Sequence, residues 1–188
     1  TLSSSSAASD VYKRQTGIGF ALAKNLGLEG AKIIIGEPRE EKLQEAFKSL
    51  NDLDIEANCS RLDVTDLKSV ENFAKFTCDC FGHVDILINN AGISAGQGQI
   101  YKANIEDARK VFDVNFFGVW HGCAAFSKIM ISQGSKAAIY NLGSENSLFV
   151  AVPKSIAYVA SKHAVLALSE SLRDDLPDFI HVLSLIHI

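Results

Sequence analysis

The chain has 188 residues, a formal net charge of −4 and 47% hydrophobic, 21% charged and 9% aromatic residues, the composition of one globular domain at the usual about 100–200 residues each. No basic stripe offers nucleic acid a footprint, no polybasic run suggests anionic lipid, and the apolar stretches fall far short of the about 20 residues a membrane helix needs. Cys59, Cys78, Cys80 and Cys123 have neither Cys-x-x-Cys spacing nor the density of a disulfide scaffold, which predicts reduced thiols in a cytoplasmic protein. The five histidines (His83, His121, His163, His181, His187) are scattered and predict no metal site.

In chain order, Thr1 to Ser9 is rich in serine and alanine, and Asp10 to Gln15 (DVYKRQ) is polar; neither resembles a secretory signal. Residues 1–15 are therefore expected to be a non-native or disordered leader. Gly19 to Gly27 carries Phe20, Leu22, Ala23 and Leu26 at helical spacing, with Gly27 as the expected C-cap. Lys32 to Gly36 (KIIIG) is a β-branched run and predicts a strand. The helical pattern returns over Arg39 to Leu50 in Leu43, Ala46, Phe47 and Leu50, followed by a strand over Glu56 to Leu62. Asp66 is placed to cap a helix over Leu67 to Phe81, and Val84 to Asn89 (VDILIN) predicts the next strand. Two long helices, Ile105 to Gln133 and Ala157 to Leu176, flank a strand over Ala137 to Leu142. A further strand begins at Ile180, and Leu183 to Ile188 (LSLIHI) is read as a non-native tail. Short apolar strands alternating with helices predict an α/β three-layer fold over residues 16–182, a parallel sheet with helices on both faces.

The candidate chemistry lies where strands end. Gly17-Ile18-Gly19 opens the first helix, where glycines let the backbone approach a pyrophosphate that the helix N-terminus attracts. About twenty residues on, Glu37 ends a strand, where a carboxylate accepts from both ribose hydroxyls of NAD and repels a 2′-phosphate. Asp63 follows the next strand and could accept from an adenine amino group; an ordinary turn would look the same. Asn89-Asn90-Ala91-Gly92 ends the strand after that, either as a ligand floor at the carboxyl edge of the sheet or as a plain turn. Tyr158 and Lys162 are four apart on one helical face, so the ammonium can stabilise a phenolate. Ser144 follows a strand and can bond a substrate oxygen; Asn115, inside an apolar helix, needs partners for its amide.

In this order and spacing, Gly17/Gly19, Glu37, Asp63, Asn89 to Gly92, Asn115, Ser144 and Tyr158-x-x-x-Lys162 resemble the short-chain dehydrogenase/reductase family from about Gly17 to Val182. The resemblance implies a Rossmann fold and an NAD(P)-dependent oxidoreductase acting on an alcohol or ketone. It implies that Tyr158 is the general acid/base, that Lys162 lowers the tyrosine pKa and bonds the nicotinamide ribose, that Ser144 holds the substrate oxygen (Ser147 being the alternative), and that Asn115 anchors a water. It also implies that Gly17, Ile18, Gly19, Glu37, Asp63, Val64, Asn90, Ala91, Gly92, Tyr158 and Lys162 contact the dinucleotide. Glu37 favours NAD, while Arg39 leaves a 2′-phosphate contact open. The apolar faces of the long helices (Val111, Phe112, Val119, Ala164, Leu168) are expected to form a homo-oligomer interface, a dimer or tetramer, unless they are internal core. Substrate-lining loops are expected at Ile93 to Gln99 and Glu145 to Pro153, where Leu148, Phe149 and Val150 suggest a hydrophobic alcohol or ketone.

Three departures from the family pattern shape the remaining expectations. Lys13 stands at the first glycine position and Tyr12 at the threonine position of the family's Thr-Gly-x-x-x-Gly-x-Gly. DVYKRQ is no buried apolar strand, so in the order 3-2-1-4-5 the middle strand is expected to be missing. The chain also stops where the sixth strand should run. These departures predict a fragment of such an enzyme that folds poorly and is inactive as written. A non-catalytic dinucleotide-binding protein, and a translated artefact without function, are the other readings.

Overall fold

The computed structural model describes residues 2–5, 17–95, 98–148 and 152–185. Along them run β1 (Leu2–Ser5), α1 (Ile18–Leu28), β2 (Ile33–Glu37), α2 (Glu40–Asn51), β3 (Ala57–Arg61), α3 (Leu67–Phe81) and β4 (Ile86–Asn89). A short 3-10 turn (Ile100–Lys102) leads to α4 (Ile105–Phe112), a π-helical turn (Asp113–Phe117) and α5 (Gly118–Gln133). After β5 (Ala137–Leu142) and a second 3-10 turn (Glu145–Ser147) come α6 (Ile156–Asp175) and β6 (Ile180–Leu185).

Local chemistry accounts for several of these boundaries. Asp66 caps α3 as expected, its carboxylate accepting from the Lys68 amide at 2.9 Å, and Gly82 ends the helix in the left-handed region at φ 71°. Val70, Phe73, Ala74 and Thr77 form the buried stripe of that helix. Gly27 does not act as the cap of α1. The helix runs past it to Leu28, and the Glu29 amide closes on Asn25. Gly27 instead marks the crossing of α1 over Ile55, where a Cβ would lie 2.4 Å from Ile55 Cγ2.

The strands pair in parallel in the order β3-β2-β1-β4-β5-β6. Each crossover carries one or more helices, the doubly wound arrangement expected from the alternation of elements. β2 alternates its isoleucines between two cores: Ile34 faces the layer of α3, α5 and α6, while Ile33 and Ile35 face α1 and α2. Ile139 and Leu142 of β5 divide in the same way.

The structure corrects two expectations about the sheet. The middle position is filled, because Leu2–Ser5 pairs with Ile33–Gly36 on one side and Ile86–Asn89 on the other. Backbone N–H and C=O groups make a ladder, so a strand can occupy the centre without the apolar signature used to search for it. The sixth strand also runs, with Ile180–Leu185 paired residue by residue to Ala137–Leu142, so Leu183 to Leu185 belong to the sheet. Tyr12 and Lys13 lie outside the described residues.

Candidate active site

The order of strands reverses between β1 and β4, and in open parallel sheets ligands bind in the crevice at such a switch point, beyond the strand carboxyl ends. On one side of it stand the N-terminus of α1 and the ends of β2 and β3. On the other stand Asn89 to Ile93, the end of β5 and the first turns of α6.

The second side is built around three groups. A Cβ on Gly92 would lie 3.6 Å from both Asn115 Oδ1 and Lys162 Nζ, so the residue after Ala91 passes directly over these two side chains. Asn115 sits in the π-helical turn, fully buried; such turns are frequent at functional sites because the widened coil redirects a side chain. Its Oδ1 accepts from the Ile93 amide at 2.7 Å, and its Nδ2 donates to the Ile93 carbonyl at 3.0 Å and to Ser161 Oγ at 3.0 Å. Both amide hydrogens are therefore spent on protein, and the side chain clamps the Ile93 loop to α6.

Ser161 passes the connection on, donating to the Tyr158 carbonyl at 2.7 Å. Lys162, 4% exposed, donates to the Leu142 carbonyl at 2.7 Å. Its Nζ stands 5.9 Å from the centre of the Tyr158 ring, so the two side chains share one face of α6 as their spacing required. Burial pushes the Lys162 ammonium down from 10.5 to about 8, because desolvation disfavours the charged form. At pH 7 it is still mostly protonated, yet it is poised to exchange its proton near neutrality. Ser144 and Ser147 are both buried at the end of β5. The Ser147 hydroxyl accepts from the Ser144 amide at 3.2 Å and so closes the turn between them.

On the first side, Gly17 precedes α1 with φ −69° and ψ 162°, and a Cβ there would meet nothing within 4 Å among the described residues. Ile18 and Gly19 form the first turn, whose amides have no acceptor within the helix. Glu37 is buried at the end of β2 and accepts from Arg39 Nε at 2.7 Å and from the Arg39 amide at 3.3 Å. Asp63 accepts from Thr65 N at 3.0 Å and Thr65 Oγ1 at 2.7 Å. Val64 is buried against α5, and its carbonyl meets His121 Nδ1 at 2.9 Å. Asn90 and Ala91 line the floor after β4, Ala91 buried and Asn90 half-buried.

Of the loops expected to line a substrate, the first is tied to the residue just past the second, the Gly98 amide donating to the Lys154 carbonyl at 2.8 Å, and Leu148 of the second is exposed. Residues 96–97 and 149–151, which include Phe149 and Val150, lie outside the described residues, as does His187. Of the apolar residues named for an interface, Val111 and Val119 are core residues, while Phe112, Ala164 and Leu168 are half-buried. The large apolar side chains that α5 and its preceding turn leave open are Phe117, 46% exposed, Trp120, 50% exposed, and Ile131, 45% exposed. Among the described residues no group of three or more His, Cys, Asp or Glu side chains could hold a metal, and no helix is long and apolar enough to cross a membrane. Ser161 was missed in the sequence. Its signal was a small hydroxyl between Tyr158 and Lys162, where only the tertiary contact to Asn115 gives it meaning.

Comparison with known proteins shows the family and the fold. The profile of the family described as short chain dehydrogenase matches residues 14–186. An oxidoreductase named SadH from Mycobacterium tuberculosis is 35% identical over 161 residues, covering 86% of this chain and 57% of that protein. The 1-deoxy-11-beta-hydroxypentalenate dehydrogenase of Streptomyces exfoliatus is 33% identical, covering 86% of this chain and 58% of its own length. The crystal structure of a short chain dehydrogenase/reductase from Burkholderia phymatum in complex with NAD superposes with a TM-score of 0.89 at 31% identity, covering 98% of this chain and 64% of that one. The chain thus spans less than two thirds of the length of these relatives.

Proposed function

The chain belongs to the short chain dehydrogenase family, and we propose that it is an oxidoreductase moving a hydride between NAD(P) and a secondary alcohol or ketone, with Tyr158 as general acid/base. The observation that carries this reading is the Lys162 ammonium, buried against Gly92 and the Leu142 carbonyl, 5.9 Å from the Tyr158 ring.

The residues present fit a dinucleotide. The N-terminus of α1, entered through Gly17, suits a pyrophosphate, the buried carboxylate at the end of β2 suits ribose hydroxyls, and the small residues Ala91 and Gly92 leave room for a flat ring. When bound, the nicotinamide supplies the hydride acceptor or donor at its C4 carbon. The chain handles the proton. In the oxidative direction a Tyr158 phenolate takes the proton of the substrate hydroxyl as hydride leaves the carbinol carbon, and a phenol returns it in the reverse direction. The nearby positive charge of Lys162 makes the phenolate affordable near neutral pH. Ser144 bonds the substrate oxygen. Asn115 holds the Ile93 loop against α6 and so keeps Gly92 and Lys162 in register.

Glu37 favours NAD, because a 2′-phosphate would meet a buried carboxylate; Arg39, bonded to it, tempers that preference. Exposed Leu148 at the mouth favours an apolar alcohol or ketone. Phe117 and Trp120 suit contact with a second copy of the chain in a homo-oligomer. The four cysteines are free thiols, which suits the cytoplasm.

Replacing Tyr158 with Phe in a protein that carries this sequence separates an enzyme from a dinucleotide-binding protein without catalysis. We expect turnover of secondary alcohols, followed by NADH absorbance, to fall by about 10²–10⁴-fold, the range for losing a general acid/base, with the NADH dissociation constant within about twofold. Unchanged turnover would remove Tyr158 from the chemistry, and a protein that never takes up a dinucleotide would remove the reading altogether.

A further inference from the structure

Behind the crevice lies a second set of buried polar groups, which the steps above do not use. Asn141, fully buried on β5, accepts on Oδ1 from Asn89 Nδ2 at 2.8 Å and from the Cys123 thiol at 3.6 Å. Its Nδ2 donates to Ser169 Oγ of α6 at 3.0 Å, and Ser169 donates in turn to the Val165 carbonyl at 2.7 Å. Asn89 Nδ2 also reaches Cys123 Sγ at 3.5 Å. α5 makes room for this set: a Cβ on Gly122 would lie 2.2 Å from Asn89 Oδ1.

Apolar side chains could fill the same space without needing partners, so an amide pair held here is worth most for the arrangement it enforces. The arrangement is specific. Asn89 ends β4 immediately before Asn90 to Gly92, and Asn141 immediately precedes Leu142, whose carbonyl takes Lys162. Ser169 is seven residues, about two helical turns, beyond Lys162 on the same face of α6. Side chains alternate along a strand, so a one-residue slip of β5 against β4 would turn Asn141 to the opposite face and break its bonds to Asn89, Cys123 and Ser169.

We propose that Asn141 is a positioning residue that locks the Asn89–Ile93 floor to α6 through Ser169, so that Gly92, Tyr158 and Lys162 move as one unit. The catalytic meaning of that unit rests on the function proposed above; the coupling itself can be measured without turnover.

The test is amide hydrogen exchange on the protein carrying this sequence. Ser169→Ala takes away the acceptor for Asn141, and exchange is expected to quicken at least tenfold in two separate segments, 89–93 and 156–166. Ser169→Thr, which keeps the oxygen, restores both. Ile139→Val, a packing change two residues earlier on β5, lowers the melting temperature without selectively loosening those segments. Should Ser169→Ala fail to fold, Ser169→Cys, a weaker acceptor at the same place, is expected to loosen the same pair of segments to a smaller degree. Exchange that rises only in the helical turn around residue 169, or rises equally in Ile139→Val, overturns the proposal. Dinucleotide binding and turnover are recorded in parallel: their absence from the unaltered protein counts against the proposed function, while the exchange pattern still decides the coupling.

Discussion

The two sides of the crevice hold their polar groups by different means. Around α6, Asn115, Lys162, Asn141 and Ser169 are buried, and their bonds cross from one element to another. Around α1, β2 and β3 the two carboxylates are tied within two residues of themselves, Glu37 to Arg39 and Asp63 to Thr65. Buried bonds between elements fix a geometry and are costly to break, whereas local and half-exposed ones can re-form around a ligand. For the function proposed above, the α6 side suits chemistry that must be aligned to a fraction of an ångström, and the α1 side suits recognition of an adenosine by its outline and charge.

The sharpest way to break this comparison is to remove the buried ammonium. Its folded-state pKa of about 8 lies below the unfolded value of 10.5, so between these pH values the unfolded chain binds more protons and stability rises with pH. Urea unfolding of the protein without cofactor should therefore show a gain of about 3 kcal/mol from pH 8 to pH 10.5 relative to Lys162→Met. Parallel pH profiles for the two proteins would mean that the ammonium is hydrated.

A smaller effect is expected from two glycines, one on each side. Gly122→Ala drives a methyl into the Asn89 amide and should cost about 1–3 kcal/mol in thermal or urea unfolding. Gly17→Ala meets nothing within 4 Å among the described residues and should change stability by less than about 1 kcal/mol, its effect appearing in NADH affinity instead. Equal losses of stability would erase the contrast between the two sides.

The smallest change concerns the choice of cofactor. Glu37→Gln should reduce the preference for NAD over NADP by about tenfold, or about 1.4 kcal/mol, as read by fluorescence titration with both reduced cofactors. Stability should move by less than about 1 kcal/mol, because the Arg39 partner is half exposed. A ratio that does not move would take Glu37 out of cofactor selection.

Much of this molecule could be read from one dimension. β5 occupies the residues its apolar run predicted, α3 begins at its Asp66 cap, and Tyr158 and Lys162 share a face because four residues make about one turn. The middle strand was illegible because main-chain pairing, unlike side-chain burial, leaves little trace in composition. Val111 and Val119 looked like interface because an apolar stripe does not say what covers it. Asn141 carried the same signal as Asn115, an amide in an apolar run, and could have been singled out by the same argument.

Taken alone, the order of residues determined which elements form outside the middle strand, which faces of them are apolar, and which chemical groups stand at the strand ends, since all of these follow from periodicity and local bonding. Only the tertiary structure decided which groups share a bond across the sheet: Asn115 with Ile93 and Ser161, Lys162 with Leu142, Asn89 with Asn141 and Ser169. Such partners are tens of residues apart along the chain, and what selects them is the need of every buried donor to find an acceptor, which only the packed core can satisfy.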